Sequence, residues 1–257
     1  MMTRLLLTQI AVIVIYMTAW YLVSRALTRF DVADIGWGPG FIVSAVTAAA
    51  INESLNPRAY LVMALVIIWG MRLSLHVYLR NRGKPEDARY RSWRQEWGKN
   101  ANIRAFFQIF MLQGLLVMVI SLPVTSVIRA GRMPFTILDA AGLLIWAMGF
   151  LFEAISDLQL VRFKKDAAHK GKIIMTGLWR YSRHPNYFGE VTLWWGIYLI
   201  AVAAGAGWPM IIGPLTITFL ILKVSGIPML EKKYEGNPEF EEYRQRTSAF
   251  FPLPPKS

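Results

Sequence analysis

Residues 191–222 run for 32 positions without one charged side chain. A membrane-crossing helix takes about 20 mostly apolar residues, so this run is too long for one helix and too short for two complete ones. Inside it, Ala204-Gly205-Ala206-Gly207-Trp208-Pro209 carries a turn signal. That signal divides the region into helices over 187–204 and 209–229. Five earlier windows share the same character, at 5–24, 35–51, 60–78, 105–128 and about 135–161. The expectation is an all-α polytopic membrane protein with seven transmembrane helices.

Composition points the same way. Of the 257 residues 55% are hydrophobic and 17% are charged, with a mean hydropathy of +0.38 and no Cys. A soluble domain carries about a quarter charged residues. So much apolar surface excludes a polar disordered chain, and the absence of Cys excludes a disulfide-stapled secreted module. The first window exceeds a signal-peptide core, and no small-x-small cleavage site follows before Arg25, so it reads as a retained helix. With no internal repeat and no room for a separate soluble domain, residues 1–257 read as one membrane domain.

The net charge of +12 is unevenly spread. Loops 25–34, 80–104 and 162–184 and the tail 231–257 hold 22 of the 28 Lys and Arg residues. The alternate loops hold Arg4, Arg58, Arg129 and Arg132, while Arg72 and Lys223 fall inside helices. The positive-inside rule then sets the N-terminus outside and the C-terminus in the cytoplasm, in the cell inner membrane, with any anion site opening to the cytoplasm. No nucleic-acid-binding module accompanies the charge, so nucleic acid is not an expected partner.

Ionisable groups inside the apolar windows are few: Arg72, Glu153, Asp157, Glu190 and Lys223. Such groups usually face a cavity or one another. Glu153 and Asp157 share a helix face by their spacing of four, as do Asn186, Glu190 and Trp194. The plainer reading is snorkelling or an interhelical ion pair. Glu190 fits it least, because a carboxylate reaches only a short way and an apolar run follows directly. Between these two helices, loop 162–184 places seven cations among aromatic residues against one acid, Asp166. Guanidinium and ammonium groups suit phosphates, and aromatic faces suit stacked bases. Pro185 suits a first helical turn, whose free N–H groups favour an anion. No GxGxxG or P-loop string is present, which excludes a Rossmann or Walker site, and no metal site is expected.

The string Leu178-Trp179-Arg180-Tyr181-Ser182-Arg183-His184-Pro185-Asn186-Tyr187-Phe188-Gly189-Glu190, followed by Trp194-Trp195-Gly196, resembles the C-terminal signature of the steroid 5α-reductase family. Sterol C14 reductases are its more distant relatives. Supporting matches are Asn81-Arg82-Gly83-Lys84-Pro85 after helix three, Ser156-Asp157 in helix five, and Glu231–Tyr234, Glu242-Tyr243-Arg244 and Phe251-Pro252 in the tail. The resemblance implies an NADPH-dependent oxidoreductase of lipid or steroid metabolism, a monomer among membrane lipids. It would reduce the C=C bond of a conjugated ketone in a steroid-like or other hydrophobic enone, with most of the cofactor signature in 105–257. Carried over residue by residue, Asp157, Lys164, Lys172, His184, Asn186, Tyr187 and Tyr234 fall on cofactor positions. Trp179, Tyr181, Arg183 and Glu231 join them from the matching strings, and Arg72, Arg82 and Lys84 are candidates for the phosphate side. Trp37, Trp69 and Trp194 are the expected substrate-side aromatics.

Glu190 falls on the family's catalytic carboxylate, and elementary chemistry suits the role. Hydride adds to an enone β-carbon only if the developing enolate oxygen is stabilised. A carboxyl group in an apolar slot can keep its proton and donate to that oxygen, because water no longer favours its charged form. The family's helix-three tyrosine is missing, since the stretch reads Trp69-Gly70-Met71-Arg72. Asp34 is the substitute candidate, with helix N-capping as its competing role. A second function class stays open, because S-adenosylmethionine-dependent membrane methyltransferases share a related Arg-His-Pro-x-Tyr element. A transporter is disfavoured, because the polar groups cluster at one side and do not line a path through the midplane.

Overall fold

The computed structural model describes residues 2–256, and every regular element among them is helical. In chain order these are α1 (Arg4–Leu27), α2 (Val32–Ala50), α3 (Pro57–Asn81), α4 (Ala88–Ile120), α5 (Leu122–Arg129), α6 (Ile137–Lys165), α7 (Pro185–Ala203), α8 (Trp208–Lys232) and α9 (Pro238–Arg246). Six of them are long and apolar enough to cross a membrane: α1, α2, α3, α4, α6 and α8. This is the make-up of a multi-pass membrane protein. The seventh expected span corresponds to α7, a 19-residue helix outside that set. Its opening turns carry Asn186, Tyr187 and Glu190, which dilute the apolar run behind them.

Helix boundaries follow local chemistry. Asn56 caps α3 by accepting from the Ala59 N–H at 2.9 Å, with Pro57 in the first turn. Thr136 and Asp139 close a capping box on α6. The expected turn near 204–209 is present: Gly205 takes a left-handed φ of +78°, and Pro209 opens α8. The largest departure is α4, which starts at Ala88 and not near 105. Asp87 caps it by accepting from the Arg89 N–H at 3.0 Å. Pro123 then ends this helix, because it brings no N–H to continue the ladder. Nineteen of the 25 residues in the basic 80–104 stretch are therefore helical.

The chain forms two compact units. The first runs to Pro134 and takes in Ala204–Ile212. Within it α2 packs on both α1 and α3. Gly38 and Gly70 meet so closely that a Cβ on Gly38 would overlap the Gly70 carbonyl. Buried Gln9 ties three helices by donating to Ser44 O at 3.1 Å and Thr125 Oγ1 at 3.2 Å.

The second unit comprises Phe135–Ala203 with Gly213–Ser257. Its frame is the antiparallel crossing of α6 and α7. Gly142 faces Gly196 and Gly149 faces Gly189, and a Cβ on any of the four would stand within 2.7 Å of the other helix's backbone. Small residues at this spacing let membrane helices approach backbone to backbone.

Candidate functional site

The α6–α7 crossing brings Asp157 and Asn186 together. Asn186 Nδ2 donates to Asp157 Oδ1 at 3.2 Å, and Asn186 Oδ1 accepts from the Tyr187 N–H at 3.0 Å. Asp157 is buried and Asn186 half-buried. Glu190 lies one helical turn beyond Asn186 on α7 and is half-buried, while Trp194, a further turn on, is fully buried. Glu153 occupies the matching position one turn from Asp157 on α6, buried beside Gly189.

The loop leading into α7 is fixed from two sides. On the α6 side, buried Trp179 donates Nε1–H to Ser156 O at 3.1 Å, and Leu178 N–H donates to Gln159 Oε1 at 3.0 Å. The tail holds the other side. Arg183 forms a two-pronged pair with Glu231, Nε to Oε1 at 2.9 Å and Nη2 to Oε2 at 3.1 Å, while Nη1 donates to Thr247 O at 2.5 Å. His184 Nε2 lies 2.9 Å from the same Glu231 oxygen and stacks on the Tyr187 ring at 5.6 Å. Ser182 Oγ donates to Phe250 O at 2.9 Å and accepts from the His184 N–H at 3.1 Å. The Tyr243 hydroxyl donates to Trp179 O, and burial raises its pKa above the ordinary phenol value.

These contacts divide the expected site residues into two groups. Trp179, Arg183, His184 and Glu231 face inward, where they lock the loop to the tail. Lys164, in the last turn of α6, and Lys172 and Tyr181 in the loop are exposed. Tyr234 is half-buried and stacks on Phe240 at 5.0 Å. A depression of about 320 Å3 opens among Gln159, Arg162, Phe163, His169 and Thr176, at the end of α6. Sequence reasoning gave no role to Ser182 and Tyr243, although both lie in the matching strings, and missed Gln159; all three hold the loop in place. It also missed the glycine pairs, although the spacing of seven in Gly142/Gly149 and Gly189/Gly196 is visible in the chain.

In the first unit Asp34 is not the helix cap. Asp31 occupies that position without a capping bond, because Arg29 holds its carboxylate at 2.7 Å through both oxygens and the Asp87 N–H adds 3.0 Å. Asp34 instead accepts from the Tyr90 hydroxyl and from Arg89 Nη2 at 3.3 Å. Sequence reasoning offered Asp34 as the substitute for the missing helix-three tyrosine and foresaw neither Tyr90 nor Arg89 as its partners. Glu86 takes Arg94 at 2.9 Å and the Phe30 N–H at 2.5 Å. Trp37 meets Phe41 at 5.1 Å, and Phe41 meets fully buried Trp69 at 5.4 Å. Arg72 is half-buried, while Arg82 and Lys84 are exposed.

A family model described as a protein of unknown function, DUF1295, matches residues 20–247. The chain belongs to that family. The match covers both units, including α7 and its preceding loop. A protein of Schizosaccharomyces pombe, described as uncharacterized, is 27% identical over 231 aligned residues, which cover 79% of this chain. The chain spans 66% of that relative, just under two thirds of its length. No solved structure matches the chain significantly.

Proposed function

We propose that this membrane protein is an NADPH-dependent reductase of the steroid 5α-reductase type, acting on the C=C bond of a hydrophobic α,β-unsaturated ketone. The observation that carries the reading is the Asn186–Asp157 hydrogen bond at 3.2 Å. It joins the two positions that the family resemblance assigns to the cofactor, one helical turn from Glu190. The reading takes α7 as a seventh spanning helix, with the N-terminus outside and the basic loops on the cytoplasmic face of the inner membrane.

The residues present fit such a cofactor. Lys164 at the end of α6 and Lys172 and Arg180 in the loop that follows are exposed and suit phosphates. Tyr181 offers an exposed ring, and Tyr187 a half-buried one stacked on His184. NADPH would supply the hydride. The chain's own residues do the rest. Asp157 and Asn186 orient one another, Glu231 orients Arg183 and His184, and the glycine crossing keeps these groups in register. Glu190 donates a hydrogen bond to the substrate carbonyl, where negative charge develops as hydride reaches the β-carbon, and the α-carbon takes its proton from the solvent side or a nearby acid.

Purified protein mixed with NADPH and a 3-oxo-Δ4 steroid is expected to oxidise the cofactor. Glu190→Gln is expected to slow turnover by about a hundredfold, the cost of weakening one oxyanion donor. Equal turnover by the variant overturns the mechanism. Stabilisation against heat by S-adenosylmethionine, with none by NADPH, overturns the cofactor assignment and favours the methyltransferase class.

A further inference from the structure

The C-terminal tail carries a second concave surface, whose tail cations Arg244, Arg246 and Lys256 have no part in the proposed chemistry. A depression of about 310 Å3 lies over the end of α9 and the segment after it, lined by residues that include Arg244, Arg246, Thr247, Ser248, Leu253 and Lys256. None of its lining residues is acidic.

Its floor is held in place. Arg183, itself part of the lining, donates Nη1–H to Thr247 O at 2.5 Å and its backbone N–H to Ser248 O at 2.8 Å. The Lys256 N–H donates to Arg246 O at 2.8 Å, which folds the last described residues back onto α9. Three cations from two segments therefore converge on one concavity. Arg244 and Arg246 pair with Glu241 at 2.7 Å and Glu242 at 3.1 Å on the same helix. These are solvent-exposed pairs of little worth, which an incoming anion displaces readily.

The rim identifies the ligand's other half. Leu253, in the lining, is 54% exposed, and Phe251, two residues before it in the chain and edge-on to Phe188 and Phe250, is 62% exposed. Free phosphate gains nothing from apolar rings at the edge of its site. An amphiphile does, and cations set beside exposed apolar side chains are how protein segments hold an anionic membrane surface.

We propose that this depression binds the phosphate headgroup of an anionic phospholipid. Arg244, Arg246 and Lys256 meet the phosphate, and Phe251 and Leu253 meet the acyl chains. Tail and loop are joined through Arg183, so lipid binding also steadies the segment entering α7.

The test uses the full-length protein in detergent, titrated with short-chain phosphatidylglycerol, short-chain phosphatidylcholine or inorganic phosphate. Hydrogen exchange of the amides in 244–256 reports binding. Phosphatidylglycerol is expected to slow exchange there, phosphatidylcholine to leave it unchanged, and phosphate to act only at much higher concentration. R244Q/R246Q/K256Q should weaken the phosphatidylglycerol effect at least about tenfold, and K256Q alone about fivefold. F251S/L253S should remove the advantage of the lipid over phosphate. Equal protection by the two lipids, or an unshifted titration in both charge variants, overturns the site. Protection by phosphate at the lipid's own concentration, unaffected by F251S/L253S, overturns the lipid as its source.

Discussion

Gly149 of α6 and Gly189 of α7 meet with no space for a side chain on either. A Cβ on Gly189 would stand 2.5 Å from the Gly149 carbonyl oxygen, and one on Gly149 would stand 2.6 Å from that of Gly189. This contact sets the register in which Asn186 reaches Asp157. The candidate site is thus governed by two residues that carry no functional group.

Gly189→Ala is expected to destabilise the protein by roughly 2 kcal/mol, because backbone atoms with no freedom to move block the new methyl group. Elsewhere in a helix the same change would gain up to about 1 kcal/mol. Gly131→Ala, where nothing lies within 4 Å of the added Cβ, serves as the neutral control. Thermal unfolding in detergent compares them, and equal melting temperatures contradict the crossing.

Glu231→Gln should cost about 3 kcal/mol, since it leaves the Arg183 guanidinium buried without its counter-charge. Arg183 is 8% exposed and Glu231 17%, so water compensates little. The tail should also become easier to cleave, because Arg183 holds it through Thr247 O. Limited proteolysis reads that directly. A variant as resistant as the wild type shows that the pair does not hold the tail.

Acid should act partly through Asp87. Burial pushes this carboxyl's pKa up, but the hydrogen bond and charge of Arg89 outweigh burial and hold it below the usual carboxylate value. The unfolded chain therefore binds the proton more tightly than the folded one. The stabilisation is complete above the unfolded value near pH 4 and is lost as pH falls through the folded value. Asp87→Asn lacks this dependence, so its melting temperature should fall less steeply than the wild type's between about pH 5 and pH 2. Parallel curves argue against the assignment.

Asn186→Leu removes both the Asp157 bond and the acceptor for the Tyr187 N–H. The dissociation constant for NADPH should rise about tenfold, the worth of one or two buried hydrogen bonds. Equilibrium titration of the purified protein measures it. A lowered melting temperature with unchanged affinity would give Asn186 a structural role alone.

Particular residues show how far the chain could be read without coordinates. The uncharged run and its Gly-Pro interruption yielded α7, α8 and the break between them, because apolar length and turn chemistry are local properties. The start of α4 was misplaced, since charges near a helix end read as loop unless the Asp87 cap is weighed. For α7 the polar opening turn, which made it conspicuous as a site, is also what keeps it out of the six apolar helices. Arg183 stood out as a cation suited to an anion and His184 as a cofactor position implied by the resemblance, yet both face Glu231. A charge is visible in a sequence, but its direction is not.

The sequence alone determined that the chain is helical and apolar enough for membranes, where its charges concentrate, and which segment holds the Asn186–Glu190 constellation. Those properties depend on neighbours along the chain. Tertiary structure alone decided that Asn186 meets Asp157, that Tyr90 meets Asp34, and that the tail clamps the loop through Arg183 and Tyr243. Such pairings join residues from 29 to 64 positions apart. The first follows from how closely the glycine-lined α6 and α7 pack, and the others from contacts between distant segments, none of which a local pattern encodes.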